Sequence, residues 1–286
     1  MQWIDLHTHS NASDGALSPA ELVAHAQQHG LEAVALTDHD TVDGLDEALQ
    51  AGTELGLEVV PGLEISVGIG TSSMHLLGYF LNHHHPGLME ELLILQKSRA
   101  ERNPQIVRKL NDLGMGISLK DLELASGGGQ IGRLHIASVL KGKGYVNNFQ
   151  EAFDLYLKKG QPAHVDKFRF DPETAFAMIH SAGGVSVVAH PFTLTTDRTE
   201  LETWIRRFKT MGLSGIEAYY SDHTTDQTQF CRQLALKYDL VVTGGSDFHG
   251  ANKPGIEVGV GRGSLRVPYS LLEKLKVEWS GRAHVA

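Results

Sequence analysis

The chain has 286 residues, a length that suits one large α/β domain or one domain with an insert and excludes the smallest disulfide-stapled folds. Its 41% hydrophobic and 21% charged residues are typical of globular proteins and exclude a disordered chain. The net charge of −9, from 25 basic and 34 acidic residues, provides no overall attraction to nucleic acids or anionic membranes, so a bound polyanion needs local cations.

In chain order, short β-rich runs alternate with helical stretches, which predicts an α/β fold. Ser18-Pro19-Ala20-Glu21 has the residues of a helix start, and Gly30 and Gly56 follow predicted helix ends. About seven strands, all parallel, are predicted at 3–6, 33–36, 58–61, 74–80, 185–189, 215–219 and 240–243. The helices between them are predicted at 19–29, 45–55, 172–182, 201–211 and 225–238.

The pattern changes between about residues 90 and 163, where helical segments follow one another without a strand between them. We predict a helical insert over 91–163, and a barrel domain formed by 1–90 and 164–286. The predicted helices of the insert are 90–114, 119–125, 134–141 and 149–158. Two glycine-rich joints, 127–129 and 142–144, suit turns between short helices, and this interpretation is favoured over a phosphate-binding loop at 127–132.

The single cysteine, Cys231, excludes an internal disulfide and a cysteine-based zinc site, and it favours a reducing compartment. The N-terminal residues lack the basic and apolar regions of a signal peptide, and no run of about 18 apolar residues predicts a membrane span. We therefore expect a cytoplasmic protein without a membrane partner, and we infer no obligate protein partner. The 16 histidines and the carboxylates remain as candidate ligands for a transition metal.

Candidate metal ligands recur near successive predicted strands. In Asp5-Leu6-His7-Thr8-His9 two histidines lie two residues apart at the end of a strand, so both side chains point to the same face. Further motifs follow in order: Thr37-Asp38-His39-Asp40, Glu64, His75 in the fourth strand, Ala189-His190-Pro191, and Ser246-Asp247-Phe248-His249. Barrel enzymes build their active sites at the C-terminal ends of strands, so this recurrence predicts a metal-dependent active site.

The same motifs, in the same order, resemble those of the PHP (polymerase and histidinol phosphatase) family, which is related to the amidohydrolases. The resemblance covers about residues 1–90 and 165–275. The segment Gly132-Arg133-Leu134-His135-Ile136-Ala137 is also similar to the TrpH-like branch, whose enzymes act on nucleotides with a 3′-phosphate or on short RNA 5′ ends. The fold that we expect is an open or distorted (β/α)7 barrel with the helical insert over its C-terminal mouth.

The resemblance implies three metal sites that share nine ligands. The first has His7, His9, Glu64 and Asp247, the second has Glu64, His75 and His190, and the third has Asp14, His39 and His249. A bridging carboxylate such as Glu64 holds two cations about 3.5–4 Å apart, a spacing that suits water activation and polarisation of a phosphoryl oxygen. We expect two to three divalent ions per chain, with Mn²⁺ favoured and Fe²⁺ or Zn²⁺ as alternatives. Glu64, Asp247 and His249 are the predicted catalytic residues.

Substrate recognition requires cations near the metals. Arg133 is the main candidate because a guanidinium binds phosphate in a bidentate manner, and His135 in the same segment is a second donor. His223, after the sixth strand, is a third candidate. Asp38 and Asp40 are candidates to orient His39, and the sequence does not decide between them. His25 and His29 share a helix face but lack the glutamate base of a zinc metalloprotease motif, so a solvated face is favoured.

We therefore predict a metal-dependent phosphoesterase that removes the 3′-phosphate of a 3′,5′-bisphosphonucleotide. The alternatives are 5′-3′ trimming of short RNA by the same site, a histidinol-phosphate-type phosphatase, and a non-catalytic metal-binding PHP module. The expected partners are a small nucleotide phosphate or short RNA.

Overall fold

The structure, a computed structural model, describes residues 2–70 and 72–283. Within these residues the strands are β1 (Trp3–Thr8), β2 (Ala33–Leu36), β3 (Glu58–Ile69), β4 (Ser72–Tyr79), β5 (Val185–Val188), β6 (Gly215–Tyr220), β7 (Val241–Gly245) and β8 (Val267–Pro268). The helices are α1 (Pro19–Gln28), α2 (Leu45–Leu55), α3 (Pro86–Asp112), α4 (Leu119–Ser126), α5 (Arg133–Gly142), α6 (Phe149–Ala152), α7 (Pro172–Ser181), α8 (Arg198–Thr210), α9 (Thr225–Lys237) and α10 (Ser270–Ala283). A π-helical turn, Phe153–Leu157, continues α6.

The strands form one sheet in the order β7-β6-β5-β4-β3-β2-β1-β8. The ends of this sheet approach each other, because the Asp247 amide donates to the His7 carbonyl at 2.8 Å and the His9 amide donates to the Phe248 carbonyl at 2.9 Å. At this seam a Cβ atom on Gly245 would lie 2.3 Å from the His7 Cβ, so only glycine permits the approach. The sheet is therefore a nearly closed, distorted barrel, as predicted.

The expectation that the seven predicted strands are all parallel is wrong for β4. β4 runs antiparallel to both β3 and β5, and the short β8, which was not predicted, runs antiparallel to β1. The chain turns directly from β3 into β4 without the helical crossover that a parallel connection needs. As a result, β4 begins at the mouth of the barrel, where the parallel strands end.

Helices cover the barrel, and the strands are buried on both sides. In β2, Val34 and Leu36 pack in the layer between sheet and helices, whereas Ala33 and Ala35 belong to a second cluster that includes Leu272 of α10. This arrangement explains why β2 consists only of apolar residues. α10 was not predicted either.

The insert has a hydrophobic core of its own, and α3 connects it to the barrel. Leu88 and Leu92, near the start of α3, pack in the barrel core, whereas Ile106 and Leu110, near its end, pack in the core of the insert. One helix thus spans the predicted boundary at residue 91, and the domain division stays a prediction. Among the described residues, no helix has both the length and the apolar character that a membrane crossing requires.

Candidate metal centre

Nine side chains of ligand type meet at the mouth of the barrel, all of them predicted from the sequence. They are His7, His9, Asp14, His39, Glu64, His75, His190, Asp247 and His249, which meet in overlapping groups of three or four. Most of them follow the C-terminal end of a parallel strand. His75 reaches the same place from the first half of β4, because that strand runs in the opposite direction. Glu64 lies inside β3, which is longer than predicted.

One carboxylate oxygen of Glu64 faces three histidines. Its Oε2 atom lies 2.9 Å from Nδ1 of His39 and 3.3 Å from the Nε2 atoms of both His7 and His9. Asp247 approaches the same group, with its Oδ1 atom 3.2 Å from Nε2 of His9. The group has the nitrogen and oxygen donors that Mn²⁺, Fe²⁺ and Zn²⁺ accept.

The other oxygen of Glu64 faces two different histidines. Its Oε1 atom lies 2.8 Å from Nδ1 of His75 and 3.1 Å from Nε2 of His190. Because the two oxygens face separate sets of ligands, the geometry fits a carboxylate that bridges two cations. A third group has Nε2 of His249 3.2 Å from Oδ1 of Asp14.

Several of these buried donor atoms have no hydrogen-bond partner among the described residues. They are Nε2 of His7, both ring nitrogens of His9, Oδ1 of Asp14, Nδ1 of His39 and Oε2 of Glu64. An unsatisfied polar atom in the interior costs about 1–3 kcal/mol, so a convergent set of them is unfavourable unless a ligand satisfies it. The residues therefore fit a cluster of divalent cations.

The electrostatics of the cluster favour positive charge. Burial opposes the protonation of His9, but the nearby carboxylates of Asp247 and Glu64 outweigh it and raise the pKa of His9 to about 9. Burial dominates at His39 and lowers its pKa to about 4. The carboxylates thus attract cations, and divalent ions held by these side chains would supply positive charge without protonated histidines.

Glu217, which the sequence analysis missed, contacts two of the candidate ligands, His7 and His190. Its Oε1 atom lies 3.0 Å from Nδ1 of His7, and its Oε2 atom accepts a 2.7 Å hydrogen bond from the His190 amide. This contact leaves Nε2 of His7 facing the cluster, as expected for a metal-binding histidine. Glu217 lies within β6, and no motif in the sequence distinguishes it from a core polar residue.

Asp38 and Asp40, which the sequence left as alternatives, hold neighbouring segments. Asp38 accepts hydrogen bonds from Ser10, through its amide at 2.8 Å and its hydroxyl at 2.6 Å. Asp40 accepts from the Ser66 amide at 2.8 Å, from Arg99 at 2.5 Å and from the Lys167 ammonium. Burial opposes the ionisation of Asp40, but Lys167 and Arg99 lower its pKa well below the ordinary value.

A cavity of about 650 Å³ lies above the metal ligands, and its wall is cationic. Its volume is in the range of sites for small ligands. Seven cations line it: Arg99, Arg133, Lys141, Lys167, Arg169, Lys253 and Arg262. The carboxylates in the lining are Asp14, Asp222 and Asp247. In a chain of net charge −9, this excess of cations is local.

The predicted substrate residues have different positions. Arg133, at the start of α5, lines the cavity. His135 is only 1% exposed and lies outside this lining, and its Nδ1 atom accepts a 3.0 Å hydrogen bond from the Gly132 amide at the start of α5. His223 also lies outside the lining, and its Nδ1 donates to the Ala218 carbonyl at 3.0 Å. Nε2 of each histidine is buried and has no hydrogen-bond partner among the described residues, and a substrate contact of either stays a prediction.

Most of the cations were not predicted because they come from separate segments. Arg99 lies on α3, whereas Lys167 and Arg169 follow the insert. In Lys167-Phe168-Arg169-Phe170 the charged and aromatic residues alternate, which is the one pattern that points to two of them.

The first glycine-rich joint of the insert, residues 127–129, packs against the segment that follows β1 and lies next to the candidate metal ligands. A Cβ atom on Gly129 would lie 1.6 Å from the Asn11 carbonyl oxygen, and the Gln130 amide donates to the Ala12 carbonyl at 3.1 Å. The Gln130 side chain donates to the His39 carbonyl at 2.8 Å. The joint therefore attaches the insert to the site. Its contacts agree with the turn that the sequence analysis favoured over a phosphate-binding loop.

Comparisons with known proteins place the chain in a family. Residues 5–160 match the PHP domain. The chain is 39% identical over 246 residues to a 5′-3′ exoribonuclease of Haemophilus influenzae, covering 86% of this chain and 89% of that protein. It is 34% identical over 257 residues to a 3′,5′-nucleoside bisphosphate phosphatase of Chromobacterium violaceum, covering 90% of each chain.

The fold is also similar to a solved structure. The structure of an amidohydrolase from Chromobacterium violaceum, with bound sulfate and no metal, superposes with a TM-score of 0.87 and 32% identity over 96% of both chains. The chain belongs to the PHP domain family. A structure from Bifidobacterium adolescentis, described as a “putative metal-dependent phosphoesterase”, also superposes with a TM-score of 0.87 and 28% identity over 97% of this chain and 96% of that one. The predicted class of enzyme, a metal-dependent phosphoesterase with a barrel fold, is thereby confirmed.

Proposed function

We propose that this enzyme hydrolyses the phosphate ester at the 3′ position of a nucleotide that also carries a 5′-phosphate, with a 3′,5′-bisphosphonucleotide as the leading substrate. The observation that carries this proposal is the cationic cavity directly above the metal ligands. The ligand cluster provides a place for the phosphate that is cleaved, and the cations further along the wall provide a place for the phosphate that is retained.

The mutual repulsion of the wall cations supports the binding of an anion. Burial and the nearby Arg169 and Arg99 lower the pKa of Arg133. Arg102, a buried residue of α3 that lies outside the cavity lining, has a pKa well below its ordinary value because of burial, followed by Arg99, Arg133 and Arg169. Because these pKa shifts come partly from neighbouring positive charges, a bound phosphate dianion reduces the repulsion between the guanidinium groups. It also accepts charge-assisted hydrogen bonds from them. The sulfate in the similar amidohydrolase is an anion of the same shape.

We propose two to three divalent ions, with Mn²⁺ favoured, held by the nine ligands that the sequence analysis named. His39, assigned there to the third site, has Nδ1 2.9 Å from Glu64 and Nε2 4.0 Å from Asp14, so it lies between the first and third sites. Bound ions supply Lewis-acid charge and an activated water for displacement at phosphorus. Glu64 divides its oxygens between two groups of histidines, and Glu217 fixes the ring of His7. Asp247 and His249 line the cavity at its contact with the cluster, and with Glu64 they remain the proposed catalytic residues.

A 5′-3′ exoribonuclease is the second candidate, because one relative of 39% identity carries that name. Both reactions cleave the bond between phosphorus and the 3′ oxygen of a nucleotide. They differ in what else is attached to the phosphorus. In the bisphosphonucleotide the 3′-phosphate carries no further group, whereas in RNA it carries the rest of the strand. One site therefore suffices for both, provided that the strand leaves the cavity. The complete set of nine ligands argues against a non-catalytic module.

A substrate comparison tests the proposal. The purified enzyme, with its metals counted, is given a 3′,5′-bisphosphonucleotide, the matching 3′-monophosphate and a 5′-phosphorylated oligoribonucleotide. We expect two to three ions per chain, the highest kcat/KM for the bisphosphonucleotide, loss of turnover on chelation and recovery with Mn²⁺. Faster release of mononucleotides from the oligoribonucleotide would favour the second candidate. Full turnover by a metal-free preparation would overturn both.

A further inference from the structure

A second group of metal-ligand side chains lies away from the cavity. It consists of His25 in α1, His29 at the end of that helix, and Glu257 in the segment after β7. One ligand atom of each residue lies within 4.8 Å of the other two, and Nε2 of His25 is 3.7 Å from Oε2 of Glu257. None of the three lines the cavity.

The hydrogen bonding of the two histidines leaves one ring nitrogen of each, Nε2, available to bind a metal ion. Nδ1 of His29 lies 2.8 Å from the His25 carbonyl, which only accepts, so this nitrogen carries the proton and Nε2 is free. Nε2 of His25 is buried and has no hydrogen-bond partner among the described residues. Each histidine therefore has a ring nitrogen that no described protein group satisfies.

We propose that His25, His29 and Glu257 bind a transition-metal ion of the zinc type, at a site separate from the phosphoesterase centre. Two nitrogens and one carboxylate oxygen form a common set of protein ligands for Zn²⁺. In a tetrahedral site with bonds of about 2.0–2.1 Å, ligand atoms lie roughly 3.3 Å apart, so the group needs only small side-chain rotations to close on an ion. His29 and Glu257 are exposed, and water completes the coordination.

An ion at this site joins α1 to a segment that forms part of the cavity wall. Glu257 lies between Lys253 and Arg262, both of which line the cavity. The ring of His25 also stacks on Phe248, with ring centroids 5.4 Å apart. Phe248 lies between the two predicted ligands Asp247 and His249 in the chain. The ion therefore restrains the segment that carries two of the wall cations.

Zinc binding to the Mn²⁺-loaded enzyme tests the site. Calorimetric titration with Zn²⁺ compares the wild type with His29→Ala, Glu257→Gln and the control Gln28→Ala, which changes an exposed residue of the same helix turn. Any exchange at the phosphoesterase centre is common to all four proteins. We expect one additional zinc equivalent in the wild type and the control, at least tenfold weaker binding in the two ligand variants, and unchanged activity with Mn²⁺ alone. Identical titrations of all four proteins would overturn the proposal.

Hydrogen exchange provides a measurement that does not depend on stoichiometry. Zn²⁺ should slow amide exchange in residues 250–262 of the Mn²⁺-loaded wild type and leave this segment unchanged in His29→Ala. Equal protection in both proteins would assign the zinc effect to another site and would also overturn the proposal. The outcome is independent of which nucleotide the enzyme cleaves.

Discussion

The metal ligands and the cationic wall meet in one cavity but are built in different ways. The ligands belong to the barrel, where strand ends and the backbone fix their positions, and three residues of this region, Asp40, His190 and Asp247, have positive φ angles of 55°, 24° and 58°. Such backbone conformations are costly in non-glycine residues and persist only where the surroundings hold them. The wall cations come from the insert and from loops, on long side chains. The candidate metal ligands are thus held by the backbone of the barrel, whereas the cations of the wall lie on long side chains of the insert and of loops.

The largest effect on activity is expected at Glu64, and this variant tests the metal-ligand region without changing the cationic wall. Glu64→Gln keeps the volume and removes the charge that both groups of histidines face. We expect a loss in kcat well beyond the factor of about 10–100 that is typical when a residue behind the metal ligands is changed. Steady-state kinetics and metal analysis provide the measurement, and Glu32→Gln, an exposed change of the same kind, is the control. Wild-type kinetics would remove Glu64 from the site.

A smaller effect on activity is expected at Glu217, which contacts His7 and His190 but is not itself one of the proposed metal ligands. Glu217→Gln weakens the contact with His7, so the ring is oriented less firmly. We expect metal affinity or kcat/KM to fall about 10–100-fold, and excess Mn²⁺ to restore part of the activity. A loss as large as that of Glu64→Gln, without rescue by metal, would make Glu217 a direct ligand.

The contrast between the metal ligands and the cationic wall also explains which parts of the site could be predicted from the sequence. His7, His39, His190 and His249 lie in short motifs at strand ends, and local spacing is sufficient to identify them. The direction of β4 depends on the tight connection from β3, which hydrophobic periodicity does not reveal. The hydrogen bonds of Glu217 to His7 and His190 span 210 and 27 residues, and the wall cations converge only through the packing of the insert. Long-range contacts of this kind leave no local pattern.

Arg133 tests the wall. If it binds the phosphate that is not cleaved, Arg133→Ala removes a charge-assisted contact worth about 1.5–3 kcal/mol, or roughly ten- to a hundredfold in kcat/KM. The loss should be large for a 3′,5′-bisphosphonucleotide and small for a 3′-monophosphate, which lacks the bound group. Part of it should appear in kcat, because binding at the remote phosphate positions the scissile one. Arg108→Ala, an exposed change on α3, is the control.

Equal losses with both substrates would place Arg133 at the cleaved phosphate or in general stability. The distinction matters because Arg133 also packs over the Phe153 ring, at 5.6 Å from its centroid. A purely structural role predicts a lower melting temperature, and the substrate-selective role predicts an unchanged one.

The smallest effect concerns pH and Lys167, the wall cation that contacts Asp40 and the Ser66 hydroxyl. Burial and the nearby Arg99 lower the pKa of Lys167 to about 7, although Asp40 opposes the shift. A lysine is charged below its pKa, so a pKa of about 7 leaves Lys167 about half protonated at pH 7. Raising the pH to 9 removes the positive charge that remains, while a phosphate with a second pKa of about 6 stays dianionic. We expect KM for the bisphosphonucleotide to rise about three- to tenfold over this range. In Lys167→Arg the guanidinium stays charged and the rise should disappear, whereas any titration of the metal ligands affects both proteins alike. Parallel KM profiles for the two proteins would show that Lys167 keeps its proton against Asp40 and that the wall does not titrate.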